Sequence, residues 1–489
     1  METITSIKPL LAILVSTVAA ILILLTGKKP NLRESWTFIA GIIKFLIVIS
    51  MVPTILDHKT IEYTLLQILP GLEIKFKVDA LGLFFALTAS FLWNLASIYS
   101  IGYMRGLKEH AQTRYFACFA VSLTAALGVA FSANLFTLFL FYEILSLVTY
   151  PLVAHHEDDE GWAGGKKYFL YLVGSSKAFF LVAIVLTYVV AGNVDFTKGG
   201  LFPASASPVM LIVIYFLFLA GITKAGIMPF HSWLPSAMCA PTPVSGLLHA
   251  VAVVKVGVFS LLRVIFDVFG IELMSSLGLG IATAYLVSFT IITASIVAIT
   301  QDNLKARLAF STVSQLSYII LGAAMLTKSS MLGGIMHIAN HALAKITLFF
   351  CAGSIYVSSH LKKISDLGGI AKKMPWTMAA FFLGSMGMIG IPPAGGFVSK
   401  WYLLVGSMEA NQIAILIVLL VSTLLNAGYF LPIIYTAYFE KPKDPETHAE
   451  IKEHPLCVIP LMITACLSIA VGLYPNFFMS IAKEVVKWI

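Results

Sequence analysis

Charge is what this 489-residue chain has least of: 11% of its residues are Asp, Glu, Lys or Arg, while 59% are hydrophobic. An ordinary soluble domain carries roughly 25% charged residues, so the composition excludes a water-soluble globular fold. Cysteine is scarce as well. The five copies, Cys118, Cys239, Cys351, Cys457 and Cys466, lie far apart or in apolar runs, without the Cys-x-x-Cys or Cys/His spacing of a metal or iron–sulfur site. They read as small hydrophobic residues, and the sequence points to no metal, no cofactor and no redox or catalytic centre of its own. No motif argues for a quinone or for nucleic acid. A leader-cleavage pattern is also missing: the apolar run from Pro9 to Thr26 ends in Gly27-Lys28-Lys29-Pro30, so it is expected to stay as a helix.

What the chain has instead is hydrophobic runs. A bilayer core about 30 Å thick takes about 20 apolar residues per helix. Such runs begin near residues 9, 36, 79, 114, 134, 167, 208, 243, 277, 308, 331, 376, 411 and 455. The expectation is an all-α integral membrane protein with about 14 transmembrane helices. Lys and Arg outside the runs favour loops 1–2, 3–4, 5–6, 9–10, 11–12 and 13–14 by roughly two to one, and the positive-inside rule makes that side cytoplasmic. Both termini then lie on the extracytoplasmic side of a prokaryotic cell (inner) membrane. The net charge of +8 has the same origin and requires no acidic partner.

Two spans are interrupted, the seventh by Ala225-Gly226-Ile227-Met228-Pro229 and the twelfth by Gly390-Ile391-Pro392-Pro393-Ala394-Gly395-Gly396. Proline removes a backbone donor, and irregular backbone at membrane depth persists only where protein or trapped water satisfies it. Interrupted helices five spans apart point to inverted repeats, with spans 4–8 matching spans 9–13; two ordinary proline kinks are the plainer alternative. The predicted organisation is residues 1–113 for helices 1–3, 114–266 for the first repeat, 267–440 for the second, and 441–489 for helix 14.

The functional signal is ionisable residues inside the apolar runs. Glu143 sits in Phe141-Tyr142-Glu143-Ile144, Lys224 precedes the first break, Lys255 lies in Val253-Val254-Lys255-Val256, and Lys400 follows the second break. His337, His341 and Lys345, spaced i, i+4, i+8, share one face of the eleventh helix over about 12 Å. A charge at a helix centre costs roughly 2.5–3.5 kcal/mol on insertion scales, so these groups must pair or meet water. Burial disfavours the charged form and a partner restores it, so a Glu/Lys/His chain at the midplane has the chemistry of proton transfer. A pKa unit is worth about 1.4 kcal/mol and one charge crossing 100 mV about 2.3 kcal/mol, so rearranged pairs have the magnitude to drive or gate transport. The expected core is a Glu143–Lys224 switching pair feeding Lys255, the His341/Lys345 face and Lys400.

Other residues admit two readings. His249 and His337 are additional path members or satisfied core histidines; Lys177, in Gly174-Ser175-Ser176-Lys177, is a structural partner for a carboxylate or a path member. Lys44 is expected to snorkel or close a local hydrogen bond. The stretch His155-His156-Glu157-Asp158-Asp159-Glu160 reads as a solvated loop, with a proton-collecting antenna as the sharper idea. Asp79 opens the third span as a helix N-terminal charge rather than a conductor.

Lys224-Ala225-Gly226-Ile227-Met228-Pro229-Phe230-His231-Ser232-Trp233-Leu234-Pro235, followed by Ala240-Pro241-Thr242-Pro243-Val244-Ser245-Gly246-Leu247-Leu248-His249, resembles the signature of the antiporter-like subunits shared by respiratory complex I, Mrp-type cation/proton antiporters and membrane-bound hydrogenases. Asp302 to Leu316 and His341-Ala342-Leu343-Ala344-Lys345 fit the same pattern, and the likeness runs over residues 79–440. It implies fourteen helices, broken helices 7 and 12, and a proton path through Glu143, Lys224, Lys255, His341, Lys345 and Lys400. It also implies a translocase subunit among other integral membrane subunits, antiporter-like and small Mrp-like, coupled to a soluble iron–sulfur redox arm or to Na⁺ exchange. The largest members carry a long C-terminal extension with a lateral helix, and one complex I member has Glu where Lys400 stands here. These departures favour the Mrp-D or hydrogenase-type group. Lys177 and the His155-His156 pair lie outside the family core. A structural membrane scaffold, its charges merely paired, is the reading from another class.

Overall fold

The computed structural model describes every residue except Met1, Pro70, 248–250 and 444–450. His249 therefore lies outside the described residues. The described chain is mostly helical, and ten of its helices are long and apolar enough to cross a membrane.

The N-terminal part holds α1 (Lys8–Leu25), α2 (Pro30–Ile49) and α3 (Ala80–Gly106). Then come α4 (Gln112–Ala130), α5 (Leu135–Val153), α6 (Asp159–Ala191), α7 (Pro208–Gly221) and α8 (Val253–Arg263). A second series follows: α9 (Leu279–Thr300), α10 (Leu304–Ala324), α11 (Lys328–Ser359), α12 (Pro375–Ile389), α13 (Gly395–Glu409) and α14 (Ile413–Phe439). The chain closes with α15 (Pro455–Leu473) and the amphipathic α16 (Asn476–Trp488).

Polar caps mark where these helices start. Asp79, Asn134, Asp158 and Asn303 accept from the backbone N–H three residues on, at 2.7–3.1 Å, and Thr327 with Ser330 forms a capping box on α11. The centre of the bundle is α3 and α11, whose most apolar stretches are 83% and 78% buried; the outer α14 and α15 bury only 33% and 39% of theirs. Outer helices turn Leu25, Val189, Val209 and Leu424 outward, as a lipid-facing surface requires.

An all-α fold is not what the chain adopts throughout. Strands β1 (Glu2–Thr5), β2 (Lys59–Leu69) and β3 (Leu72–Val78) form a small sheet, with β1 parallel to β2 and β2 antiparallel to β3. Thr64 to Leu69 and Leu72 to Val78 read as an interrupted apolar stretch, and no full span's length separates α2 from α3, so the segment pairs as a hairpin instead. The sheet is stitched to the α4–α5 turn through Lys77 N–H to Phe131 C=O (2.7 Å) and Ala133 N–H to Lys75 C=O (3.0 Å).

Beside it lies a buried ion cluster that composition alone does not single out. Arg263, at the end of α8, donates to both Asp79 carboxylate oxygens (2.6 and 2.7 Å) and to Asp267 (2.9 Å). Asp79 is thus a helix cap, as expected, and also half of a clamp between α3 and α8. Lys44 departs from expectation too. Its ammonium neither reaches the surface nor makes a hydrogen bond; it sits 4.6 Å from the centre of the Trp93 ring, a cation–π arrangement.

The chain leaves helical geometry at both expected breaks. After α7 a 3₁₀ turn, Thr223–Ala225, ends in Gly226 at φ +71°, and after α12 Gly390 takes φ +88°, a region that only glycine enters cheaply. At the first break α8 approaches so closely that a Cβ on Gly257 would lie 2.2 Å from the Ala225 nitrogen.

Arg263→Ala strands two buried carboxylates and is expected to cost about 3–5 kcal/mol, read as a large fall in the thermal midpoint in detergent; Asp79→Asn/Arg263→Met/Asp267→Asn together restore most of it. Gly257→Ala forces the α8 backbone away from the break and costs about 1–3 kcal/mol by overpacking, whereas Gly174→Ala, whose nearest neighbour is a leucine methyl at 3.7 Å, leaves the midpoint unchanged.

Candidate functional site

In the first half of the chain, α5 carries the carboxylate. Glu143 accepts from Ser176 Oγ (2.5 Å) and pairs with Lys177 Nζ (3.4 Å). Ser176 and Lys177 lie in α6 where its winding widens to π-helical turns, Leu170–Gly174 and Ser176–Phe180. Such turns recur at functional sites because they re-aim side chains without ending a helix. Lys224 is fully buried. Its Nζ donates to the Tyr142 carbonyl (2.8 Å) and Ser146 Oγ (2.6 Å) and lies 3.1 Å from the centre of the Tyr142 ring.

Glu143 and Lys224 therefore flank Tyr142 on the same helix, but among the described residues no ion pair joins them. The carboxylate's cation is Lys177, in the place that the first of its two readings gives it. Trp233 Nε1 meanwhile donates to the freed Thr223 carbonyl (3.0 Å), satisfying the broken backbone.

In the second half, the α11 face supplies three groups. Lys255 on α8 contacts His341 Nδ1 at 2.8 Å; the two rings of His337 and His341 stand 6.0 Å apart. His337 Nε2 meets Gln315 Oε1 at 2.9 Å and its Nδ1 meets Ser399 Oγ at 2.8 Å. Lys345 donates to Ser311 Oγ (2.8 Å) and the Leu308 carbonyl (3.3 Å). Lys400 donates to the Met388 and Ile389 carbonyls, both at 2.9 Å. Those are end carbonyls of α12, left without amide partners by the break and carrying the negative end of its dipole.

Asn426 on α14 connects these pieces. With its amide oxygen facing the donors, it accepts from Gln315 Nε2 (2.9 Å) and Lys400 Nζ (2.8 Å), and its nitrogen donates to Tyr429 Oη (2.5 Å). Tyr429 Oη donates in turn to Ser311 Oγ (3.1 Å). Lys345, Ser311, Tyr429, Asn426 and Lys400 thus form one hydrogen-bonded line, with a branch through Gln315 to His337. The charged ends of this line stand out in the sequence; Ser311, Gln315, Ser399, Asn426 and Tyr429 do not. Neutral polar residues are ordinary in an apolar helix, and only the i, i+3 spacing of Asn426 with Tyr429 and the i, i+4 spacing of Ser311 with Gln315 hint at shared faces.

Among the described residues no hydrogen bond joins Lys224 to Lys255, so the two halves are adjacent but not continuous. A cavity of about 640 Å³ opens at one end of the bundle, lined by Tyr103, His156, Asp158, Lys305, Ala352 and Lys362. Loops 3–4, 5–6, 9–10 and 11–12, all assigned to the positive side, meet around it. Ala352 in its wall is seven residues from Lys345 on α11, about 10 Å along the axis. The acidic stretch is accordingly less free than a solvated loop. Asp158 caps α6 and lines the cavity, and Glu157 pairs with Arg114, whose charge holds that carboxyl below its usual range.

Residues 132–426 match the family described as NADH:quinone oxidoreductase/Mrp antiporter, transmembrane, and residues 70–116 match the N-terminus of chain 5 of NADH-ubiquinone oxidoreductase (complex I). Subunit N of the NADH-quinone oxidoreductase of Desulforudis audaxviator is 33% identical over 78% of this chain and 76% of its own length. A putative antiporter subunit of Staphylococcus haemolyticus is 28% identical over 94% of this chain, which spans 61% of that relative. A chain of an archaeal respiratory membrane complex, the membrane-bound sulfane sulfur reductase, has the same fold: TM-score 0.89 at 23% identity, covering 99% of this chain and 98% of that one. A multi-pass helical bundle with broken helices and a buried Lys/His/Glu set defines the class of antiporter-like membrane subunits. The chain belongs to the NADH:quinone oxidoreductase/Mrp antiporter family.

Proposed function

We propose that this chain moves protons across the membrane along Glu143, Lys224, Lys255, His341, Lys345 and Lys400, as one subunit of a multisubunit membrane complex. The observation that carries the reading is the buried line from Lys345 through Ser311, Tyr429 and Asn426 to Lys400. Its links lie at 2.5–3.1 Å, the reach that proton transfer between heavy atoms requires. His337 joins as a branch and Lys177 as the resting partner of Glu143.

The finer architecture belongs to the same proposal. Fourteen spans, with helices 4–8 and 9–13 as inverted repeats over 114–266 and 267–440, would make the two breaks equivalents, with Lys224 and Lys400 at corresponding places. The cavity among the positively charged loops would then be the cytoplasmic mouth, and both termini would lie outside, in a prokaryotic cell membrane. The protein partners are other integral membrane subunits. A redox-coupled complex carries its iron–sulfur arm in those partners; an Mrp-type exchanger has none and takes its energy from the ion gradients. The Mrp-D or hydrogenase-type group is the preferred placement within the family.

Purified complex in proteoliposomes with an interior pH dye tests the path. Lys400→Met and Asn426→Leu should each lower proton flux roughly tenfold or more, the loss usual for one positioned proton-transfer group, with the complex still assembled; undiminished flux in both would sink the proposal. Collapse of an imposed pH gradient on adding Na⁺, with no electron donor present, identifies an exchanger, and flux that needs the donor identifies a redox-driven pump.

A further inference from the structure

The stretch His155-His156, which the path does not use, faces the short turn between α3 and α4. There Glu109, His110 and His155 each present one ligand atom, all within 4.8 Å of one another. His156 joins them from the cavity side, its Nδ1 3.6 Å from Glu109 Oε2, while His155 Nε2 lies 3.8 Å from the same oxygen. The His155 side chain is fully buried, yet neither ring nitrogen has a hydrogen-bond partner. A buried polar group without a partner is exceptional. Here the unsatisfied nitrogens point at a carboxylate just beyond hydrogen-bond distance, with a second imidazole at 4.7 Å between ring centres.

We propose that Glu109, His110, His155 and His156 form a divalent transition-metal site that takes Zn²⁺ at the rim of the cavity. Three imidazoles and one carboxylate are a borderline-soft donor set that suits Zn²⁺ and not Mg²⁺ or Ca²⁺. Ligand atoms around a tetrahedral zinc, at about 2.0–2.1 Å from the metal, stand roughly 3.3 Å apart, so the separations of 3.6–4.8 Å need only a small contraction. The cage is braced from outside. Arg114 donates to the His155 carbonyl (3.1 Å) and pairs with Glu157, and Gln112 Nε2 donates to the Glu109 carbonyl (3.0 Å); such outer contacts orient ligands and raise affinity.

The bound ion would tie the 3–4 turn to the 5–6 loop. His156 and Asp158 of that loop line the cavity, so zinc would stiffen its mouth. The site stands whether or not protons use that mouth.

The test uses the full chain within its complex, purified through a histidine-free tag, stripped with chelator and titrated with Zn²⁺ alone. Competition against a chromophoric chelator should give about one zinc per chain that is lost in the variants. X-ray absorption at the zinc edge should show a nitrogen/oxygen shell with imidazole scattering. His155→Gln and His110→Gln should each weaken binding roughly tenfold or more, and His360→Asn, at the far end of α11, should leave it unchanged. Added Zn²⁺ should raise the thermal midpoint of the wild type and not of His155→Gln, by the mass-action rule for ligands of the folded state. Absence of saturable binding, a sulfur-dominated shell, or wild-type affinity in both histidine variants would overturn the proposal; because the absorption spectrum is taken on the wild type, a variant that fails to fold does not rescue it.

Discussion

Everything in this bundle depends on how a positive charge is held where hydrocarbon surrounds it. Lys224, Lys345 and Lys400 are buried, and among the described residues none has a carboxylate within ion-pair distance; each is held by backbone carbonyls, hydroxyls or an amide oxygen. Arg263 is held differently. That guanidinium sits between two carboxylates, an arrangement in which loss of either partner leaves an uncompensated buried charge. A lysine held by neutral dipoles strands nothing when its proton leaves. The same membrane protein therefore contains a cation built to stay charged and several built to change.

The neutral dipoles have to come from somewhere, and an intact helix has none to spare because each carbonyl already accepts from the amide four residues on. Breaking the helix is the solution. The gap after α12 frees the two carbonyls that hold Lys400, and the gap after α7 carries Lys224 itself to the α5 backbone. Glycine at positive φ makes each gap compact, and Trp233 and Asn340 recover the polar backbone that would otherwise be exposed to lipid.

Much of this is legible in the residues, unevenly. Runs of apolar residues broken by proline and glycine place the helices, and Glu143, Lys224, Lys255, His341, Lys345 and Lys400 stand out because an ionisable group in such a run is costly. What cannot be read is pairing. Lys177 is one turn's width from several acceptors in any helical projection, and only the π-turns of α6 bring it to Glu143 in place of Lys224. Asn426 and Tyr429 carry no charge, so nothing in α14 marks them until the bundle sets them between Lys345 and Lys400. The sheet leaves little trace because its strands are short and one partner, Glu2–Thr5, lies more than fifty residues from the other.

The same distant pairing bears on how the chain is made. Glu2 to Thr5 run parallel to Lys59 to Glu62, with α1 and α2 between them, so the two strands can meet only when the intervening pair of helices has gone across and come back. During synthesis the first residues must wait unpaired until their partner strand has followed, and they find it only if both helices have been threaded in the correct sense. A chain inserted with α1 or α2 left on the wrong side keeps its opening strand on the opposite face from β2. The little sheet is thus a proofreading latch on topology, closed once, at the start, before Glu143 and the lysines beyond it have entered the membrane's interior.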